Sequence, residues 1–125
     1  MRKQYHFWPS ERGLMAWDVD RLIELSSGLP ELRVSLDEIA ELDQVYWFDD
    51  EEAKPTCRRV IEHMRLVGAA DLSYPIVLSA GGRVMDGMHR VAKALLERRD
   101  AVLAVRFTSD PAPDYIGRKP SELPY

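Results

Sequence analysis

Residues Met85 to Arg90 place a carboxylate at Asp86, a glycine at Gly87, an imidazole at His89 and a guanidinium at Arg90 in one short run. They lie where a strand is expected to hand over to a helix. The first turn of a helix leaves amide N–H groups without carbonyl partners and carries partial positive charge, so an anion is stabilised there. Gly87 puts no side chain in a ligand's path, Arg90 supplies a planar cation suited to phosphate oxygens, and His89 can donate a hydrogen bond or a proton. Gly87, the Met88 backbone, His89 and Arg90 are therefore candidates for a phosphate cradle. The plainer alternative makes Asp86 a helix cap and Arg90 a surface arginine paired with Glu97 or with the acidic loop. A second helix start at Thr56-Cys57-Arg58 adds Thr56 and Arg58 as candidate phosphate contacts.

The elements that must carry these groups follow from periodicity and punctuation. The aromatic stretch to about Ala16, broken by Pro9 and Gly13, predicts an irregular arm or short edge strand. Asp18 caps a helix whose Val19, Leu22, Ile23 and Ser26 share a face, closed by Gly28 and Pro30. Leu32 to Leu36 alternates apolar and polar residues as a half-buried strand does. Pro55 opens a helix with an apolar stripe at Val60, Ile61, Met64 and Val67. Ile76 to Leu78 and Arg83 to Met85 form a hairpin about Ala80-Gly81-Gly82. Met88, Val91, Ala92 and Leu95 mark one face of a helix that lies against a sheet. Ala101 to Phe107 is apolar on both faces, a central strand, and the strand-helix-strand order predicts Arg83–Met85 parallel to Val102–Arg106. The tail from Thr108 carries four prolines and predicts no regular structure.

Length and charge bound the reading. The 125 residues and 14.4 kDa suit one domain, large enough to hold together without a disulfide or structural metal. Cys57 is the only cysteine and reads as a structural residue. No run approaches a membrane span, and the first residues lack an apolar signal core, so a cytoplasmic protein without membrane contact is expected. The net charge of −4 argues against a nucleic-acid coat. Yet Glu31 to Glu52 holds nine acids with Arg33 the lone base, whereas Ala53 to Arg106 holds ten bases against five acids. Either the two stretches pair across the fold, or the basic one surrounds a phosphate-bearing ligand. The trio Tyr46-Trp47-Phe48 either anchors its acidic loop to the core or stacks on a nucleobase. His6 and His63 stand alone in their segments and receive no role.

Pro75 to Leu96, running into the Val102–Phe107 strand, resembles the core of the ParB/sulfiredoxin superfamily, and Leu32 to Ile39 is similar to its first strand and turn. The resemblance spans roughly Leu32 to Phe107. It implies a single α+β domain, a mixed sheet with packed helices, with residues 1–31 as an arm and capping helix and 108–125 as a proline-rich extension. It also implies that Gly87, Met88, His89 and Arg90 hold the phosphates of a nucleotide such as ATP, ADP or CTP.

The departures from the family narrow its activities. Met88 stands where sulfiredoxins have their reactive cysteine, and a thioether cannot form a thiolate, so sulfiredoxin activity is excluded. Within the span to Tyr125 there is no room for both the DNA-binding and dimerisation regions of partition proteins, so DNA binding by this chain alone is not expected. A regulatory nucleotide-binding module, acting with another protein, is the leading expectation. A branch of the superfamily that phosphorylates free serine has a similar Asp-Gly-x-His-Arg turn. That likeness implies Asp43 as the base and Asp86 as a second carboxylate able to hold magnesium. A third reading is a protein-interaction module whose turn is vestigial.

Overall fold

In the computed structural model, which describes residues 3–49 and 53–125, the aromatic start of the chain folds as a hairpin of Tyr5–Ser10 (β1) and Gly13–Asp18 (β2). Pro9 lies in β1, which occupies the edge of its sheet, where a strand can do without one donor. Asp18 then caps Val19–Ser26 (α1), its carboxylate accepting from the Asp20 amide at 2.9 Å. Leu32–Ser35 (β3) is followed by two short 3-10 turns, Leu36–Glu38 and Ala40–Asp43. Cys57–Ala69 (α2), Ile76–Leu78 (β4), Val84–Asp86 (β5), Met88–Leu96 (α3) and Ala101–Arg106 (β6) complete the centre. The proline-rich tail contributes Tyr115–Ile116 (β7) and a 3-10 turn at Pro120–Glu122.

The strands form two sheets, β1-β2-β7 and β3-β6-β4-β5. The result is a single α+β domain. In the larger sheet β6 is internal, antiparallel to β3 and parallel to β4, while β5 is antiparallel to β4 at the outer edge. Arg83–Met85 and Val102–Arg106 do share a sheet, but β5 runs antiparallel to β6 rather than parallel as expected. The short Ala80–Gly82 turn can only join neighbouring antiparallel strands, so β5 takes one edge of β4 and leaves the other to β6.

The larger sheet is covered on both sides. Ile76, Leu78, Val84, Val102 and Ala104 pack beneath Met88, Val91 and Ala94 of α3, with Leu36 and Ile39 closing the end. Val77, Met85, Val105 and Phe107 face the opposite way and meet Trp17 and Leu22. The stretch expected as an irregular arm or short edge strand does supply an edge strand, and with the tail, expected to lack regular structure, it makes a second sheet, layered on the first because β4, β5 and β6 are apolar on that side too. The buried stripe of α3 is Met88, Val91 and Ala94 rather than one ending at Leu95, which is exposed together with Leu96. In α2 only Val67 is buried; Val60, Ile61 and Met64 face outward because α2 lies beside α3 instead of over the sheet.

Candidate functional site

Gly87 adopts φ +103° between β5 and α3, and a Cβ there would sit 2.7 Å from Ile76 Cγ2. The turn therefore requires glycine for both its backbone and its contact. Gly87 is the N-cap residue and offers no capping side chain, so Asp86 is not the cap. The amides of Arg90 and Val91 bond back to the Gly87 carbonyl, whereas those of Met88 and His89 precede any helical acceptor and donate to no described group.

Arg90 turns inward. Its Nη2 donates to Asp86 Oδ2 at 3.0 Å, and Nη1 donates to the carbonyls of Tyr74 (3.2 Å) and Pro75. Neither Glu97 nor the acidic loop is its partner. The guanidinium thus braces the strand-to-helix turn, and Asp86 is committed to it. Among the described residues, no group of three or more His, Cys, Asp or Glu side chains comes together to hold a metal ion. Asp86 holds Arg90 through Oδ2, so a magnesium ion there would have to be met by Oδ1, beside the guanidinium.

His89 occupies a setting that its neighbours in sequence do not reveal. Its Nε2 lies 2.8 Å from His63 Nδ1, and the ring centroids are 5.1 Å apart with planes 23° from parallel. Those values describe two imidazoles side by side sharing one proton. Trp47 stacks over both, at 4.6 Å from His63 and 4.7 Å from His89, and Phe48 meets His63 edge-on. Burial, and then the neighbouring His63, push His89 down to about 4; burial lowers His63 too, against an opposing pull from Glu62. Tyr46 and Trp47 pack on the core as the anchoring reading expected. Of the acidic run beyond them, Asp50 to Glu52 lie outside the described residues.

The two 3-10 turns after β3 bring one acid inside, and it is not Asp43. Asp43 is exposed, whereas Glu41 retains only 6% exposure; its Oε2 accepts from the Val84 amide at 2.7 Å and its buried Oε1 has no partner. Tyr46 lies in the field of Glu41 and Asp86. Burial first, then those two carboxylates and Asp49, push its phenol up to about 12, so the hydroxyl keeps its proton. An acid two positions before the candidate carried no sign of burial in the sequence beyond the pattern Leu36, Ile39 and Leu42, which marks the inward side of the turns.

Thr56 and Arg58 are exposed at the start of α2, with Thr56 Oγ1 capping the Arg59 amide at 3.3 Å. His63 touches His89 near the start of α3, and Lys93, one turn on, donates to the carbonyls of Gly68 and Ala70 near the end of α2. The helices therefore lie side by side and run the same way. Since α2 begins six residues before His63, its start extends roughly 9 Å past the level of His89 at 1.5 Å per residue. Both positive helix ends point toward the same side of the molecule. Ion pairs among the described residues include Arg21–Asp114, Arg90–Asp86, Arg99–Glu97 and two made by Lys3. Comparisons with protein-family models, curated proteins and solved structures give no match to the chain.

Proposed function

We propose that the chain is a ParB/sulfiredoxin-like domain that binds a nucleotide through its phosphates where α2 and α3 begin. The observation that carries this reading is the shared direction of the two helices, which aims two sets of unpaired amides and two partial positive charges at one region. Met88 and His89 offer amides there, Thr56 and Arg58 stand at the overhanging start of α2, and Gly87 lets the turn close against Ile76. Arg90 contributes by bracing the turn rather than by reaching outward. Trp47, stacked on the His63–His89 pair at the same end, offers an indole edge to the base or sugar of such a ligand. The use is regulatory, in concert with another protein.

The test is a thermal-shift series with ATP, ADP and CTP, each with and without magnesium. A ligand at a hundred times its Kd adds about 2.7 kcal/mol, which raises the melting temperature by on the order of 10 °C in a chain of this size. Replacing Arg58 with Gln should shrink that rise while the unliganded melt stays put; Thr56→Val should shrink it too, but from an unliganded melt already lowered by about 0.5–2 kcal/mol through loss of the α2 cap. No rise with any nucleotide would overturn the reading and favour the interaction module, whose surface would be the exposed Val60, Ile61 and Met64 of α2.

A second reading, the magnesium-dependent phosphotransferase, draws on Glu41. A buried carboxylate oxygen without a partner costs about 1–3 kcal/mol, and a substrate hydroxyl would complete it. Glu41 takes the role that the resemblance implied for Asp43. Glu41→Gln keeps the acceptor for the Val84 amide, so it should leave the melt unchanged or higher while abolishing phosphate transfer from ATP to a small alcohol. Loss of transfer in Asp43→Asn but not in Glu41→Gln would restore Asp43.

A further inference from the structure

On the face of the larger sheet turned away from α3, the hairpin sheet leaves a cavity of about 300 Å³. Its apolar wall is Met15, Trp17 and Met85, and its polar groups are His6, Arg83 and Asp110. The turn at Gly87 contributes nothing to it: the pleat of β5 sends Met85 to this face and Val84 to the other. Cavities of this size, with an apolar body and a few converging polar groups, are the usual form of small-molecule sites.

The charges at the cavity are held but not neutralised. The Arg83 guanidinium lies 3.5 Å from the centroid of the Trp8 ring, and it makes no hydrogen bond or ion pair with a described residue. The indole fixes its position and leaves its N–H groups free. Asp110 gives one oxygen to the Ala80 amide at 2.7 Å, which fixes that carboxylate and leaves its other oxygen free. Both charges act on His6, Arg83 lowering and Asp110 raising its affinity for a proton, yet they form no pair with each other. The His6 ring rests against Trp17 at 5.5 Å and hydrogen-bonds to no described group. Burial keeps it neutral, able to donate on one nitrogen and accept on the other.

A simple acid entering this cavity would be drawn to Arg83 and repelled by Asp110, and a simple amine would meet the reverse. A molecule that carries both charges on one carbon satisfies both, with its apolar remainder against the indole and the thioethers. We propose that the cavity binds a free α-amino acid with an apolar or aromatic side chain, its carboxylate on Arg83 and its ammonium on Asp110.

Calorimetric titration of the full chain with L-phenylalanine, L-leucine, phenylpropionate and phenethylamine tests this. L-phenylalanine should bind, and each analogue lacking one charged group should bind at least tenfold more weakly. Arg83→Gln and Asp110→Asn should each weaken L-phenylalanine at least tenfold with an unchanged circular-dichroism spectrum; the analogue series on the unaltered chain decides the matter should either variant fail to fold. No heat from L-phenylalanine or L-leucine at millimolar concentration, equal binding of phenylpropionate and L-phenylalanine, or folded variants that bind as the parent does would each overturn the proposal.

Discussion

At the residue scale, the histidines set how the chain responds to acid. His63 and His89 share a hydrogen bond beneath Trp47, and an added proton would place a cation under a ring that excludes water from one face. His6 is likewise held neutral, by burial and then by Arg83, and both His6 and His89 are pushed from 6.5 down to about 4. A group whose affinity for a proton is lower in the fold than in the unfolded chain stabilises the fold fully above its unfolded value. That stability fades as the pH falls from about 6.5 through about 4. At about 1.4 kcal/mol per unit, His6 carries on the order of 3 kcal/mol; His89, partly exposed and screened by solvent, carries on the order of 1 kcal/mol. Asp18, held low by the hydrogen bond from Lys3, acts below that window. The urea midpoint should therefore fall steadily between pH 7 and pH 4, and His6→Gln should flatten most of the fall. A midpoint level across that range would show that neither ring is held neutral. Nothing around His63 in the sequence announced this, because its partner is 26 positions away and its cover, Trp47, comes from a third segment.

The elements near the site were legible where a local pattern decided them. Asp18 caps the helix it precedes, Ala80-Gly81-Gly82 turns a hairpin, and the Gly87 junction joins strand to helix, whereas the helix expected to open at Pro55 starts at Cys57 with Thr56 as its cap. Illegible features depended on what lay opposite. The buried stripe of α3 advances by three residues each time, Met88, Val91 and Ala94, because the small Ala94 lets the helix close on β6, and this turns Leu95 outward. The apolar residues of α2 read as a core stripe, yet they found no sheet to cover. Gly87 is the position where the local and the distant meet. An alanine there would have to keep φ near +103° and press its Cβ to 2.7 Å from Ile76, at the centre of the β4 core. Gly87→Ala should cost at least about 2 kcal/mol from the backbone alone, and more from the overlap. Chemical denaturation would measure it. Gly28→Ala, a position with open space and no positive φ, serves as the control and should change stability by less than about 1 kcal/mol.

At the scale of the whole molecule, the two ends of the chain make a layer together, and a reading by segment had set them apart as arm and extension. The tail reaches the first sheet at many points. The Trp17 indole donates to the Pro111 carbonyl at 2.8 Å, Arg21 donates to the Ala112 carbonyl at 2.9 Å, and Asp114 accepts from the Asp18 amide at 2.8 Å. The Asp114 amide donates to Ala16, the Gly117 amide donates to Leu14, and the Tyr5 hydroxyl donates to the Pro124 carbonyl. Leu123 is buried at 5% exposure. Prolines suit this role: with φ fixed beforehand, the tail gives up little freedom when it docks, although the same residues suggested a segment without structure. Trp17 and Leu22 in turn cover Val77, Met85, Val105 and Phe107, so the larger sheet keeps one of its faces dry only while the hairpin is held. Six hydrogen bonds at about 1 kcal/mol each and one leucine at about 2 kcal/mol are, before the cost of ordering the tail, of the same order as the 5–15 kcal/mol that separates a folded domain from its unfolded chain. A chain ending at Thr108 should therefore lose its near-ultraviolet circular dichroism from Trp17 and bind a dye for exposed apolar surface, while Asp114→Ala in the full chain should cost only about 1–3 kcal/mol. A shortened chain that melts in one transition at the original temperature would mean that the tail merely rests on the hairpin and that the larger sheet stands without it.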